Sequence, residues 1–423
     1  MAMGMILLCT VTVVYCLLGK RLSRTILTAP MVFMALGVGS HQAGLFAGEN
    51  TEEALHVVAE LALILLLFLD AARIDLTALR QSHVWPLRML VLGLPLAWIL
   101  GTAAIALILP GWPLVFAALA AAILTPTDAA LGQAVVSNPA VPERPRRALT
   151  VESGLNDGLA LPLILALASI GASMIRPDPG TWLWFGAQQV LLGPLAGAAV
   201  GWAGGKALIY AKDRDLTGPA YEGVGAIALA GGAYVLAGAI GGNGFIAAFA
   251  GGLAFGHRVK RRCPFIYEFT ENEGQMLAWG AFLLLGIDAI PEAMAHLGWA
   301  EFAAIMASLL ITRPVAIWLS LIRTDATPLT RVFFGWFGPR GLATALFAFT
   351  AVPQIDGIWG EEILYLALNA VWISVLLHGI TAAPGARLYA RLIAARGAEA
   401  ELQPIRGSAV PLPTRQGHAP PHP

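Results

Sequence analysis

Two aspartates, Asp128 and Asp157, stand inside otherwise apolar stretches of this chain, each among residues that offer oxygen atoms. Asp128 follows Thr125, Pro126 and Thr127, and the proline, which has no N–H, frees backbone carbonyls beside the carboxylate. Asp157 closes the run Glu152-Ser153-Gly154-Leu155-Asn156-Asp157; on a helix Ser153 and Asp157 share a face one turn apart. Carboxylate, hydroxyl and carbonyl oxygens are the ligands of hard cations. An ionisable group at bilayer depth costs several kcal/mol and marks function by default. A carboxylate that reaches water through partly apolar surroundings holds either a proton or a cation. Competition between the two for Asp157 is the chemistry of exchange, and only the neutralised carboxylate can cross a dry barrier.

The remaining intramembrane charges need partners. Glu152 and Asn156 are an i, i+4 pair, and Glu152 cannot stay ionised in an apolar bundle without a cation such as Arg313, so those two are expected as a structural pair. Asp70 ends the apolar run 61–69; it is either a further carboxylate at the site or a helix-end residue facing headgroups. Arg340 is expected to neutralise helix C-terminal dipoles or an emptied carboxylate site. Glu60, Glu222 and Asp288 fall near expected water interfaces. The bland alternative for Asp128 and Asp157 is a pair of hydrogen-bonded carboxylates that lock helices together.

These residues must be positioned by membrane-spanning helices. Of 423 residues, 57% are hydrophobic and 12% charged, and the mean hydropathy is +0.72; soluble domains carry about 25% charged residues. The balance of 26 basic and 26 acidic residues leaves no net charge to attract a nucleic acid. Cys9, Cys16 and Cys263 form neither a disulfide framework nor a metal spacing. Cutting at charged and Pro/Gly-rich interruptions yields thirteen apolar spans, at 5–19, 25–40, 54–72, 86–109, 113–137, 146–173, 181–205, 219–240, 243–257, 274–296, 300–322, 331–352 and 361–383. The first is read as a retained span, since Lys20, Arg21 and Arg24 follow it and no small-residue cleavage site does. The cut at Gly241-Gly242-Asn243 is the weakest.

Basic residues test the count, because cytoplasmic loops collect Lys and Arg. With these cuts they fall in alternate loops, around Arg73 and Arg80, Arg144 to Arg147, Lys206 to Arg214, Arg258 to Arg262 and Arg323 to Arg331, and after the last span; the opposite loops hold Arg176 alone, beside acidic stretches such as Glu49 to Glu53. The N-terminus is therefore expected outside an inner membrane and the C-terminus in the cytoplasm. Spans five and twelve each carry a helix-breaking motif, Thr125-Pro126-Thr127-Asp128 and Gly338-Pro339-Arg340-Gly341, and run in opposite directions. Spans one to six are thus expected to repeat, inverted, in spans eight to thirteen, with two broken helices crossing. Residues 1–395 form the all-α polytopic membrane unit; 396–423, rich in Pro, Gly and Ala, is expected to be a disordered cytoplasmic tail. His41, His56, His83 and His257 lie at loops or span ends and carry no assigned role.

In Thr127-Asp128 after a proline, Glu152-Ser153 followed by Asn156-Asp157, Arg313-Pro314 and Gly338-Pro339-Arg340-Gly341, in this order, the chain resembles the NhaP-type sodium/proton antiporters. These are a branch of the monovalent cation:proton antiporter superfamily that includes the eukaryotic sodium/proton exchangers. The likeness covers nearly everything before the tail. It implies a thirteen-helix homodimer with a dimerisation domain, mainly spans 1–2 and 7–9, and a mobile core, mainly spans 3–6 and 10–13, that moves as an elevator. It implies an ion surrounded by Asp157, Ser153, the Thr127 carbonyl, Asp128 through water, and Asp70, where family members often have Glu. It pairs Glu152 with Arg313, and its Asn-Asp pair, here Asn156-Asp157, goes with electroneutral exchange. No cofactor and no enzymatic activity are implied; the partners are the transported cation and H⁺, the bilayer and a second copy. Within transport the other reading is a potassium/proton antiporter. Outside it stand a cation channel and an intramembrane aspartyl protease, although the Gly-x-Gly-Asp context of the protease is missing.

Overall fold

In the computed structural model the described residues are 2–22, 25–46, 51–74, 83–136, 138–175, 179–259, 262–355, 357–397 and 399–402. Arg24, Glu49, Arg80, Arg176, Lys260, Arg261 and the tail from 403 onward, on which parts of the charge count and tail reading fall, lie outside them. Every regular element among the described residues is helical. The elements are α1 (Ala2–Leu22), α2 (Ala29–Gln42), α3 (Thr51–Ala72), α4 (Val84–Ile108), α5 (Leu114–Leu124), α6 (Ala129–Val136), α7 (Glu143–Ile175), α8 (Pro179–Asp213), α9 (Pro219–Ala239) and α10 (Gly244–Val259). They continue as α11 (Pro264–Ile287), α12 (Ala289–Ala295), α13 (Trp299–Ser320), α14 (Pro328–Trp336), α15 (Leu342–Ala351), α16 (Ile358–Arg396) and α17 (Glu399–Leu402).

Six of these helices are long and apolar enough to cross a bilayer, and the bent pair α11–α12, at 43°, would make a seventh. Length and apolarity among the described residues thus do not reach the expected thirteen; at two of the expected spans the reason is a break, which leaves short halves, α5 with 11 residues and α15 with 10. The breaks fall at the two motifs, between α5 and α6 and between α14 and α15. Two other helices contain a π turn just before a proline, Met89–Gly93 ahead of Pro95 in α4 and Ser308–Thr312 ahead of Pro314 in α13. A proline has no N–H for the preceding turn, and the ladder widens there.

The weak cut holds. Gly241 takes φ +81°, which a Cβ disfavours, and Asn243 caps α10 by accepting from Phe245 N at 2.9 Å and Ile246 N at 3.0 Å. Without a hydrophobic drive in lipid, helices associate through small residues that let backbones meet. Gly252 and Gly256 of α10 lie on the Phe68 and Ala72 carbonyls of α3, while Gly197 and Gly201 of α8 lie on Ala247 and Gly251 of α10. Helix α3 thereby packs mainly on α10 and α11, and α11 on α2 and α3.

One expectation is corrected. Glu222, read as an interface residue, is 1% exposed and forms an ion pair with Lys212 at 2.8 Å, because the end of α8 folds back over the start of α9. Of the expected tail, the described residues past 396 are 397 and the short helix α17. Helix α16 runs to Arg396, and Glu401 of α17 is fully buried, accepting from Thr327 N (3.0 Å), Thr327 Oγ1 (2.7 Å) and Thr330 Oγ1 (2.6 Å). One carboxylate, in a segment with no apolar period to announce it, thus satisfies the start of α14.

Candidate functional site

The two breaks meet. Asp128 N donates to Pro339 O at 2.8 Å, and Leu342 N, the first residue of α15, donates to Asp128 Oδ2 at 2.6 Å. Asp128 Oδ1 also accepts from Leu131 N of α6 at 3.4 Å. The carboxylate therefore sits on two helix N-termini at once, that of its own α6 and that of α15, where unsatisfied N–H groups and the helix dipole favour a negative charge. Arg340 does the converse. Its Nε donates to Leu124 O, the last residue of α5, at 2.6 Å; its Nη1 donates to Gly338 O just beyond α14, and its Nη2 to Ser308 Oγ at 3.4 Å. Arg340 is 1% exposed. A guanidinium is thus set on the two carbonyl ends of the same crossing.

Around this frame runs a second network. Glu152 of α7 and Arg313 of α13, each with a side chain 2% exposed, are joined by two hydrogen bonds of 3.1 and 3.2 Å. Asn156 Nδ2 donates to Glu152 Oε1 at 3.2 Å and to Thr127 Oγ1 at 2.6 Å, and Thr127 Oγ1 lies 3.2 Å from Ser153 Oγ. The two acceptors fix the Asn156 amide with its nitrogen toward Glu152, and so turn its oxygen away. Asp157 is 9% exposed, and its Oδ1, like Asn156 Oδ1, is a buried oxygen with no hydrogen-bond partner. Buried polar atoms are nearly always paired, so two adjacent residues with orphaned acceptors mark a place for a donor or a cation. Asp70, Asp128 and Glu152 all lie within electrostatic reach of Asp157, and Asp70 packs beside Gly154, where a Cβ would stand 3.5 Å from Asp70 O.

Thr127, Ser153, Asn156, Glu152 and Arg313 are thus drawn into one network next to Asp157. The structure does not close Asp70, Asp128 and Asp157 around a point: among the described residues no three His, Cys, Asp or Glu side chains converge as metal ligands. The reason is visible at Asp128, whose two oxygens face backbone N–H groups of α6 and α15. The sequence reading missed the backbone partners Leu124 O, Gly338 O, Pro339 O, Leu131 N and Leu342 N and the Ser308 hydroxyl, together with Ser374, which accepts from Arg340 N, and His378 beside it. The backbone atoms have no sequence signal; the polar pair Ser374 and His378, four residues apart in an apolar helix, does.

Fold and site together define a multi-pass helical membrane protein organised about two crossing broken helices, with compensating buried charges at the crossing. Over residues 7–387 the chain matches the model of the transmembrane sodium/hydrogen exchanger family, and it belongs to that family. It is 27% identical over 397 residues to the K⁺/H⁺ antiporter NhaP2 of Shewanella baltica, a match covering 89% of this chain and 65% of that protein. It is 26% identical over 395 residues to the K⁺/H⁺ antiporter NhaP of Alkalimonas amylolytica, covering 89% and 64%. The chain thus spans about two thirds of the length of these relatives. The uncharacterized Na⁺/H⁺ exchanger YjcE of Escherichia coli is 29% identical over 288 residues, 66% of this chain and 50% of that protein. Among solved structures, the sodium proton antiporter MjNhaP1 of Methanocaldococcus jannaschii shares the fold, with a TM-score of 0.73 over 92% of this chain and 98% of that one, at 18% identity.

Proposed function

We propose that this protein is a secondary antiporter that exchanges a monovalent cation for protons at Asp157. The observation that carries it is the orphaned, buried Oδ1 of Asp157 beside the orphaned Oδ1 of Asn156. A proton satisfies the first atom; a cation satisfies both and draws in the Thr127 and Ser153 oxygens 3.2 Å apart. Because either occupant neutralises the same carboxylate, the two alternate. Asp128 and Arg340 hold the crossing, and Asp70 adds negative potential from α3; each ligand role remains part of this proposal. No enzymatic activity and no resident cofactor are assigned: the ions are cargo.

The cation is proposed to be Na⁺ or Li⁺, as the motif resemblance indicates. K⁺ is the second reading, favoured by the names of the NhaP2 and NhaP relatives. Exchange is proposed to be electroneutral, with Asn156 preceding a single titrating Asp157. Thirteen spans with an inverted repeat are supported by the paired features of the two halves: breaks in α5–α6 and α14–α15, and π turns before a proline in α4 and α13. The moving body of an elevator is proposed to be α4–α7 with α13–α16, and the fixed scaffold of a homodimer in the inner membrane α1–α3 with α8–α12. This places α3 and α11 with the scaffold, unlike the division expected above, because they pack mainly on α10, α2 and each other. The N-terminus is proposed to lie outside and the C-terminus in the cytoplasm.

Proteoliposomes loaded with a pH dye and pulsed with Na⁺, Li⁺ or K⁺ test the reading and rank the ions. Wild type should move protons against at least one cation without sensitivity to membrane potential, and Asp157→Ala should not. Undiminished exchange by Asp157→Ala would overturn the proposal.

A further inference from the structure

The last long helix carries a polar stripe that the exchange scheme leaves unused. Ser374, His378 and Thr381 of α16 stand at i, i+4 and i+7 on one face, and Ser374 and His378 are 0% and 2% exposed. This stripe meets the end of α14 and the break that follows it. Before the break, His378 Nε2 lies 3.0 Å from Trp336 O, the final residue of α14, and Trp336 Nε1 donates to Thr381 Oγ1 at 3.2 Å. Inside the break, Arg340 N donates to Ser374 Oγ at 2.7 Å. Ser374 Oγ and His378 Nδ1 are 3.0 Å apart.

Two carbonyls face the ring, Trp336 O at Nε2 and Ser374 O at 3.1 Å from Nδ1, and both only accept. A neutral imidazole has one N–H; placed on Nε2 it serves Trp336 O and leaves Nδ1 to accept. Ser374 then donates its hydroxyl hydrogen to Nδ1 and accepts from Arg340 N. In that tautomer the donors run in one direction, Arg340 N–H to Ser374, Ser374 O–H to His378, His378 N–H to Trp336 O. This chain of bonds runs from the last residue of α14 to Arg340, within the five unwound residues 337–341, and fixes where Arg340 leaves the backbone. That in turn sets the guanidinium on Leu124 O, three residues before Thr127. A buried network of this kind is rigid when complete.

We propose that Ser374 and His378 are positioning residues for the ion site: one turn of α16 staples the broken helix, and through Arg340 it fixes the α5 end from which the Thr127 oxygens project. This rests on the exchange reading above. Loss of the staple leaves Asp157 in place and loosens the oxygens that a cation needs, so cation affinity falls more than turnover. A merely structural polar pair behaves otherwise: its loss lowers the amount of active protein and so the maximal rate, with KM unchanged.

The test is exchange by full-length Ser374→Ala, His378→Leu and His378→Gln in proteoliposomes, over a cation titration with the cation wild type prefers, each rate normalised to folded protein from size-exclusion chromatography. Ser374→Ala, a one-atom deletion, covers the case in which His378→Leu does not fold. The expected result is a KM raised about three- to tenfold in Ser374→Ala, the scale of one net hydrogen bond. His378→Gln, which retains an N–H for Trp336 O, should lie between wild type and His378→Leu. Wild-type KM in Ser374→Ala and in whichever His378 variants fold, whatever their maximal rates, would overturn the staple and leave the exchange reading standing. Absence of exchange by the wild-type protein would sink both.

Discussion

Asp128 and Arg340 hold opposite ends of the same two broken helices. The carboxylate accepts from Leu342 N at 2.6 Å and from Leu131 N at 3.4 Å, at the N-termini of α15 and α6. The guanidinium donates to Leu124 O at 2.6 Å and to Gly338 O, at the ends of α5 and α14. Each half-helix therefore finds its compensating charge at the crossing. Asp128→Asn keeps an oxygen for Leu342 N and loses the charge–dipole term at two N-termini, about 1–2 kcal/mol. Asp128→Ala adds an unsatisfied Leu342 N–H, roughly 1–3 kcal/mol more. Thermal unfolding in detergent should rank wild type above Asn above Ala, and equal stabilities would refute the capping role.

Breaking the Glu152–Arg313 pair from one side strands a buried charge. Glu152→Met or Arg313→Met alone should each cost about 3–5 kcal/mol, and the double substitution should cost less than either. A double-mutant cycle on melting temperature measures this; additive losses would show that the two side chains do not act as a pair.

Gly338 and Gly341 are required by space. A Cβ at 338 would overlap Arg313 Nε, and one at 341 would overlap Asp128 Oδ2. Gly338→Ala and Gly341→Ala should sharply reduce folded protein on size-exclusion chromatography. Gly225→Ala, in α9 with nothing within 4 Å of the added carbon, should match wild type or exceed it by roughly 0.5–1 kcal/mol. Full yields for Gly341→Ala would mean that the crossing is looser than described.

In the loop between α13 and α14, Asp325 accepts from Arg144 Nη1 at 2.7 Å and from Trp85 Nε1 at 2.7 Å. Burial alone would raise its carboxyl, but the hydrogen bonds from Arg144 and Trp85 and the Arg144 charge outweigh it and hold the group below its ordinary value of 3.8. A depressed folded pKa gives stability that is present above the unfolded value and lost as pH falls through the folded one. Asp325→Asn should therefore melt earlier than wild type at pH 7, with the gap closing below about pH 4. A gap that is constant from pH 7 to pH 3 would remove the ionised carboxylate from the account.

Glu401 ties the end of the described chain to the start of α14 through three hydrogen bonds. Glu401→Ala should lower stability by roughly 1–3 kcal/mol through the donors it strands. An unchanged melting temperature would show that this segment merely rests on the bundle.

Membrane residence, the two breaks and the buried charges around them, Asp128, Glu152, Asp157, Arg313 and Arg340, were legible in the sequence, because each is a local property; the buried Glu222 and Glu401 were not. Apolar runs partition into lipid by their own composition, and Thr125-Pro126-Thr127-Asp128 and Gly338-Pro339-Arg340-Gly341 interrupt a helix wherever they stand. Partnership is not local. Whether Asp128 would face an ion or a helix end, which carbonyls Arg340 would take, and that His378 and Ser374 would grip the break were decided only when remote segments met. Backbone groups freed at one break were satisfied by side chains from the other and from α16, 34 to 216 residues away. No spacing along the chain encodes such a meeting. The cost of leaving a buried polar group unpaired enforces it once the helices pack.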